Sequence, residues 1–159
     1  MKYLFSFLLI SVVSFSCLKN NDDVCNYDPC AISASPSEVT QLQSYLSTAG
    51  ITATQHCSGM YYSIDAAGSG SSATICSNVS VKYKGTLTNG NIFDQSTTPV
   101  TFQLGGLIES WKKGIPLIKP GGKIKLIIPP SLGYGERGYP GAIFPNATLQ
   151  FYVELISFK

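Results

Sequence analysis

Charge is scarce in this chain: 13% of its 159 residues are Asp, Glu, Lys or Arg, and the net charge is only +2. The basic residues are scattered. Close pairs such as Lys112-Lys113 and Lys123-x-Lys125 form no stripe that could follow a phosphate backbone, and they read as a solvated face. No nucleic-acid partner is expected. Histidine is present once, as His56, so a Ser/His/Asp triad would have to use that residue, which stands on the linker ahead of the sheet-forming region. No Cys-x-x-Cys pair exists and the cysteine spacings are irregular, which argues against structural zinc. Carboxylates are few, and Asp94 is the one set in an apolar context, "NIFDQS". There is no internal repeat.

Hydrophobic residues, by contrast, make up 44% of the chain, enough for the packed core of one domain and too much for general disorder. The first 16 residues read as a targeting segment. Lys2 supplies the positive end, and "LFSFLLISVVSF" is an apolar run of about a dozen residues, short of the roughly 20 that span a bilayer. Ser14-Phe15-Ser16 puts small residues at −3 and −1 before Cys17. General signal-peptidase cleavage fits this pattern. So does a lipobox, loosely, with Ser14 where Leu is common, and it would make Cys17 the lipidated first residue. Removing Cys17 from the five cysteines leaves Cys25, Cys30, Cys57 and Cys76, an even set suited to disulfides in an exported chain. Cys25–Cys30 with Cys57–Cys76 is the expected pairing. Residues 17–34 are polar and turn-rich, as a tether from a lipid anchor would be. Leu18 after the cysteine resembles Gram-negative lipoproteins of the outer membrane.

Next comes a helix. Ser35-Pro36-Ser37-Glu38 is a capping box with proline at the first helical position. Val39, Leu42, Leu46 and Ala49 share one helical face, and Gly50 supplies the stop. The spacing predicts a helix over Pro36–Ala49 within a short extension, residues 35–58. From Gly59 the period changes to two. "MYYSI", "NVSVKYKGTL", "VTFQLG", "KIKLII" and "TLQFYVELISF" read as strands. Asn89-Gly90 marks a hairpin, and "LIESWKKGI" is the only helical stretch in this half, ended by Gly114 and Pro116. The expected class is α+β: an antiparallel sheet wrapped over one short helix across residues 59–159.

Gly133-x-Gly135-x-x-Gly138 has the outline of a dinucleotide fingerprint. That motif requires a strand immediately before it and a helix opening at the third glycine. Here Pro129-Pro130 precedes and Tyr139-Pro140-Gly141 follows, so no helix can open. The glycines describe an ordered loop carrying Tyr134, Tyr139, Ile143 and Phe144, the kind of rim that borders an apolar pocket.

Together "VKYKGTLTNGNIFDQS", "FQLGGLIESWKKGI" and "PPSLGYGERGYPGAIFPNATLQFYVEL" resemble the FK506-binding (FKBP) family of peptidyl-prolyl isomerases, over about Gly59 to Lys159. The resemblance implies an antiparallel half-barrel curled around the short helix. It implies Trp111 as the floor beneath a proline ring, with Tyr83, Phe93, Phe151, Leu107 and Ile108 as walls. The Ile108 N–H and the Tyr134 phenol would donate to substrate carbonyls, and Asp94 would be held by the Tyr83 hydroxyl. Val100, Gly133, Tyr139, Ile143 and Phe144 would contact substrate. The segment also departs from the family pattern. Val100 stands where Phe is common, Tyr139 where His is frequent, Phe144 in place of Pro, and Gly106 in place of an acidic residue. The partners implied are proline-containing polypeptides and FK506-like macrolides, with no cofactor and no metal. The expected protein is a monomeric, lipid-anchored folding catalyst of the cell envelope. The alternative is a binding module on the same fold that grips proline segments without turnover.

Overall fold

The structure, a computed structural model, describes residues 25–159; the leader and Cys17 lie outside the described residues. Helix α1 spans Pro36–Ala49, as its spacing predicts. The Ser35 hydroxyl accepts from Glu38 N–H, the Glu38 carboxylate accepts from Ser35 N–H, and Gly50 closes the helix in the left-handed conformation. Leu42 and Leu46 are buried, while Ala49, on the same face, stays exposed.

Six strands follow: β1 (Thr54–Gln55), β2 (Tyr61–Ala66), β3 (Asn78–Leu87), β4 (Ile92–Gln103), β5 (Lys123–Ile128) and β6 (Leu149–Phe158). They form one antiparallel sheet in the order β1-β2-β5-β6-β3-β4. The sheet starts before Gly59, since Thr54 and Gln55 pair with Tyr62 and Tyr61. Strand β4 is far longer than "VTFQLG" suggests. It tolerates Pro99 because it is an edge strand, where a missing N–H leaves no ladder bond unmade. Two register shifts against β3, at Val81/Tyr83 and Gly85/Thr86, bend it.

Strand alternation sorts the side chains onto two faces. Rows such as Leu87–Leu149–Ile128 and Gly85–Phe151–Leu126 run across β3, β6 and β5. They face helix α2 (Glu109–Gly114), from which Trp111 enters the main core; Ile115 joins it from the short 3-10 turn that follows. On the opposite face Tyr61 and Ile127 are covered by Leu42 and Leu46 of α1. The sheet is therefore clad on one face by the predicted internal helix and partly covered on the other by the extension.

The four cysteines of the described residues form two disulfides, but not in the expected pairs: they join Cys25 to Cys76 and Cys30 to Cys57. The reason is the path of residues 25–34. This strap lies across the domain, so each cysteine meets a different loop, one before β3 and one before β2, with Cα–Cα distances of 5.5 Å in both.

Candidate active site

The site is built around Trp111, which is 4% exposed. Its indole meets Tyr83, Phe151 and Phe102 edge-on, with ring centroids at 5.4, 5.2 and 6.1 Å. Such T-shaped contacts favour the positive edge of one ring over the face of the next, so the cluster holds a defined shape. Above it lies a cavity of about 300 Å³ whose walls include Tyr83, Asp94, Phe102, Leu107, Ile108, Tyr134 and Phe151, with Gly106 at the edge. This is the volume of a small ligand group rather than of a macromolecule.

Polar groups at the cavity are few. Tyr83 Oη donates to Asp94 Oδ2 at 2.8 Å. Burial, and then the Asp94 carboxylate, push the Tyr83 phenol up to about 12, so it remains a donor at neutral pH. Burial and the Asp94 charge also raise the Tyr134 phenol above its ordinary value. Among the described residues the Tyr134 hydroxyl and the Ile108 N–H have no protein partner. The latter is free because Ile108 is the N-cap of α2, where the first amides have no carbonyl behind them.

Of the residues expected here, the structure brings Tyr83, Asp94, Leu107, Ile108, Trp111, Tyr134 and Phe151 to one cavity. Phe93 stands behind the wall: it meets Phe151 edge-on at 5.3 Å. That packing requires Gly85, where a Cβ would come within 2.6 Å of the Phe93 ring. Val100 is absent from the cavity walls. Phe102, two residues further along the same face of β4, stands in the wall instead; both lie in one unbroken register, against Val79 and Val81, so strand alternation does not separate them. Gly133 is also off the cavity, backed against Leu149. Ile143 is a core residue, 5% exposed. It pairs with Tyr139 through reciprocal backbone bonds of 2.8 Å. Tyr139 and Phe144 are exposed, 58% and 54%, with Tyr139 edge-on to Tyr134 at 6.1 Å.

The glycine motif forms a 3-10 turn, Gly135–Arg137, not a helix start. Gly138 has φ 62° and ψ −156°, and a Cβ there would meet Ile143 O at 2.4 Å; only glycine lets the loop turn back into the Tyr139–Ile143 bridge. His56 is structural: its Nδ1 accepts from Ser58 N–H at 3.1 Å, and burial, then Lys113, lower its pKa.

Sequence reasoning missed several residues. Phe102 was hidden by assigning that part of the wall to Val100, and Gly106 was read only as a departure from the family pattern. Glu38 was read only as a cap, yet it also accepts from Ser131 N–H and Oγ, both at 2.9 Å, and so reaches the loop that carries Tyr134. Lys113, read as solvated, is 2% exposed. No local pattern distinguishes it from Lys112; its partners are remote in sequence.

Comparison with known proteins accords with this geometry. The family model described as FKBP-type peptidyl-prolyl cis-trans isomerase matches residues 70–156. The chain is 49% identical over 104 residues to the FKBP-type peptidyl-prolyl cis-trans isomerase FkpA of Escherichia coli (strain K12), which covers 64% of this chain and 38% of that protein. It is 46% identical over 106 residues to FK506-binding protein 1 of Dictyostelium discoideum, covering 64% of this chain and 99% of that one. Among solved structures, FkpA from Escherichia coli matches with a TM-score of 0.70 at 39% identity, over 77% of this chain and 60% of that one. AtFKBP13 matches at 0.63 and 32% identity, over 68% and 99%. The chain thus spans 38% of the length of the curated Escherichia coli relative.

Proposed function

Because the chain belongs to the FKBP-type peptidyl-prolyl cis-trans isomerase family, we propose that it catalyses cis–trans rotation of X–Pro bonds in exported polypeptides. One observation carries this reading: an aromatic well floored by Trp111 lies beside the Ile108 N–H, unpartnered among the described residues, and the Tyr134 hydroxyl. Rotation takes the prolyl amide through a state without resonance, at a barrier of roughly 18–20 kcal/mol. No nucleophile is needed. The twisted amide has a less polar carbonyl than the planar one, so a mostly apolar well favours it. In this account the proline ring sits on Trp111 between Tyr83 and Phe151. Ile108 N–H and Tyr134 hold the flanking carbonyls, and the Tyr83–Asp94 bond fixes the polar edge of the mouth. FK506-like macrolides would occupy the same well.

The apolar leader and the two disulfides, which suit an oxidising compartment, support export. In the finer reading Cys17 carries a lipid and the protein is a monomer at the outer membrane, where slow X–Pro isomerisation limits the folding of envelope proteins. The exposed Tyr139 and Phe144 favour a second reading, a module that grips proline segments without turnover.

The test is the cis-to-trans rate of a short X–Pro peptide with the parent, Asp94→Ala and Tyr83→Phe. Acceleration that falls in the variants supports the isomerase. A folded parent that binds proline peptides without accelerating them leaves the binding module.

A further inference from the structure

Helix α2 carries the floor of the pocket on six residues, and helices shorter than about a dozen residues do not hold their own geometry. Part of what fixes it comes from outside the sheet. The Lys113 side chain is completely buried, and a buried ammonium persists only where it is paired and hydrogen-bonded. Its Nζ lies 3.1 Å from Glu109 Oε2 and donates to Tyr27 Oη at 2.6 Å. It also stands 4.9 Å from the centre of the Tyr27 ring, within cation–π range. Tyr27 in turn donates to the same Glu109 oxygen at 2.7 Å. Burial, and then the Glu109 carboxylate, raise the Tyr27 phenol above its ordinary value, so the hydroxyl keeps its proton.

The three groups close a ring across more than 80 residues of sequence. Within α2 its two members bracket Trp111, and Ile108 directly precedes Glu109. Tyr27 itself is held by the strap, pinned on either side by Cys25–Cys76 and Cys30–Cys57. The first staple reaches the approach to α2 as well: Ile75, beside Cys76, accepts from Gly105 N–H and Gln103 Nε2.

We propose that Tyr27 is a positioning residue for the pocket, its hydroxyl holding Glu109 and Lys113 and, through them, setting Trp111 and the Ile108 N–H against the proline ring and the substrate carbonyl. This rests on the isomerase reading of the site. Tyr27 is not among the cavity walls; it acts through α2.

The experiment uses the chain with both disulfides formed. Tyr27→Phe keeps the ring over Lys113 and removes only the hydroxyl. The expected result is a roughly three- to tenfold fall in kcat/KM for an X–Pro peptide, the loss expected when a positioned group drifts by a fraction of an ångström. Trp111, the chain's only tryptophan, should at the same time become more accessible to acrylamide quenching, measured well below the unfolding midpoint. Tyr27→Phe should add nothing in a Lys113→Met background, or in Glu109→Gln should Lys113→Met not fold. A purely structural Tyr27 would lower the unfolding midpoint and leave kcat/KM and the quenching constant at parent values; that result overturns the proposal. If the parent itself does not accelerate isomerisation, the catalytic reading fails. The proposal is then decided by the Kd for a proline peptide and by Trp111 quenching: shifted values support it and unchanged values overturn it.

Discussion

The N-terminal extension, here the strap with helix α1 (residues 25–49), and the sheet domain are attached to their surroundings by different physics. The domain is organised by one continuous apolar core, from Val79 and Val81 through Trp111 and Ile115 to Leu149, Phe151 and Val153. The extension buries little beyond Leu42 and Leu46 against Tyr61 and Ile127. It is held instead by two disulfides and by polar bonds that span the sequence: Tyr27 to Glu109, Glu38 to Ser131 and Gln150 to Tyr45. The difference separates what makes the fold from what tunes the site. The core creates the aromatic well, while the polar bonds of the extension reach the two elements that border it, α2 and the Tyr134 loop.

The largest way to break the comparison is through the core. Phe151 is 4% exposed and supports Trp111, Tyr83 and Phe93 at once. Phe151→Ala should cost about 3–5 kcal/mol, since buried Phe leaves both lost transfer energy and a cavity. Urea denaturation would read it as a lower midpoint with unchanged slope, and isomerase activity should fall with it. A loss below about 1 kcal/mol would mean that the well is not part of the core.

Removing a staple should come next. Cys25→Ser with Cys76→Ser opens a closure of 51 residues, expected to cost about 2–4 kcal/mol through the entropy of the unfolded chain. The sheet should survive: near-ultraviolet circular dichroism of the aromatic cluster is expected to stay close to that of the parent, because no core contact is removed. Loss of that signal would place the extension inside the folding unit and erase the distinction between the regions.

This contrast explains what could be read from sequence. Helix α1, β3, β6 and the Asn89-Gly90 hairpin were legible because each is specified by near neighbours: a capping box, a period of two, a turn dipeptide. The centre of the well was legible through motifs that keep their order. What was not legible is pairwise and remote. Cys25 cannot announce Cys76, and nothing around Lys113 shows that Tyr27 will meet it. The β4 error is of another kind: positions 100 and 102 share one face of the strand, and alternation alone does not say which of them reaches the cavity.

A smaller effect tests the strap through pH. Burial opposes ionisation of Glu109, but hydrogen bonds from Lys112, Tyr27 and Lys113 outweigh it and take the carboxyl from 4.5 to about 2. A carboxyl depressed in the folded state contributes stability above its ordinary pKa and loses it as pH falls through the folded one. The window is therefore about 4.5 down to about 2. Over it Glu109→Gln should show a shallower loss of stability than the parent, by on the order of 1 kcal/mol after allowing for solvent screening. Equal acid profiles would mean that the ring of Tyr27, Glu109 and Lys113 does not hold in solution.

The smallest expected effect lies at the polar contact between α1 and the Ser131 loop. Glu38 accepts from Ser35 N–H and from the amide and hydroxyl of Ser131. Burial works against its charge, yet these bonds, the Ser131 and Ser35 amides foremost, hold its carboxyl below 4.5. Glu38→Gln keeps the length of the side chain and one acceptor oxygen, so the cost at neutral pH should be under about 1 kcal/mol, the range of a helix cap. Its sign follows the same linkage as Glu109. The contribution is present above the ordinary carboxylate value and fades as pH drops through the lowered one, so parent and variant should converge in acid. Urea midpoints at neutral and acid pH measure that convergence. If the gap persists when the carboxyl is protonated, Glu38 holds the Ser131 loop by shape rather than by charge, and the polar account of the extension would then rest on Tyr27, Tyr45 and the disulfides.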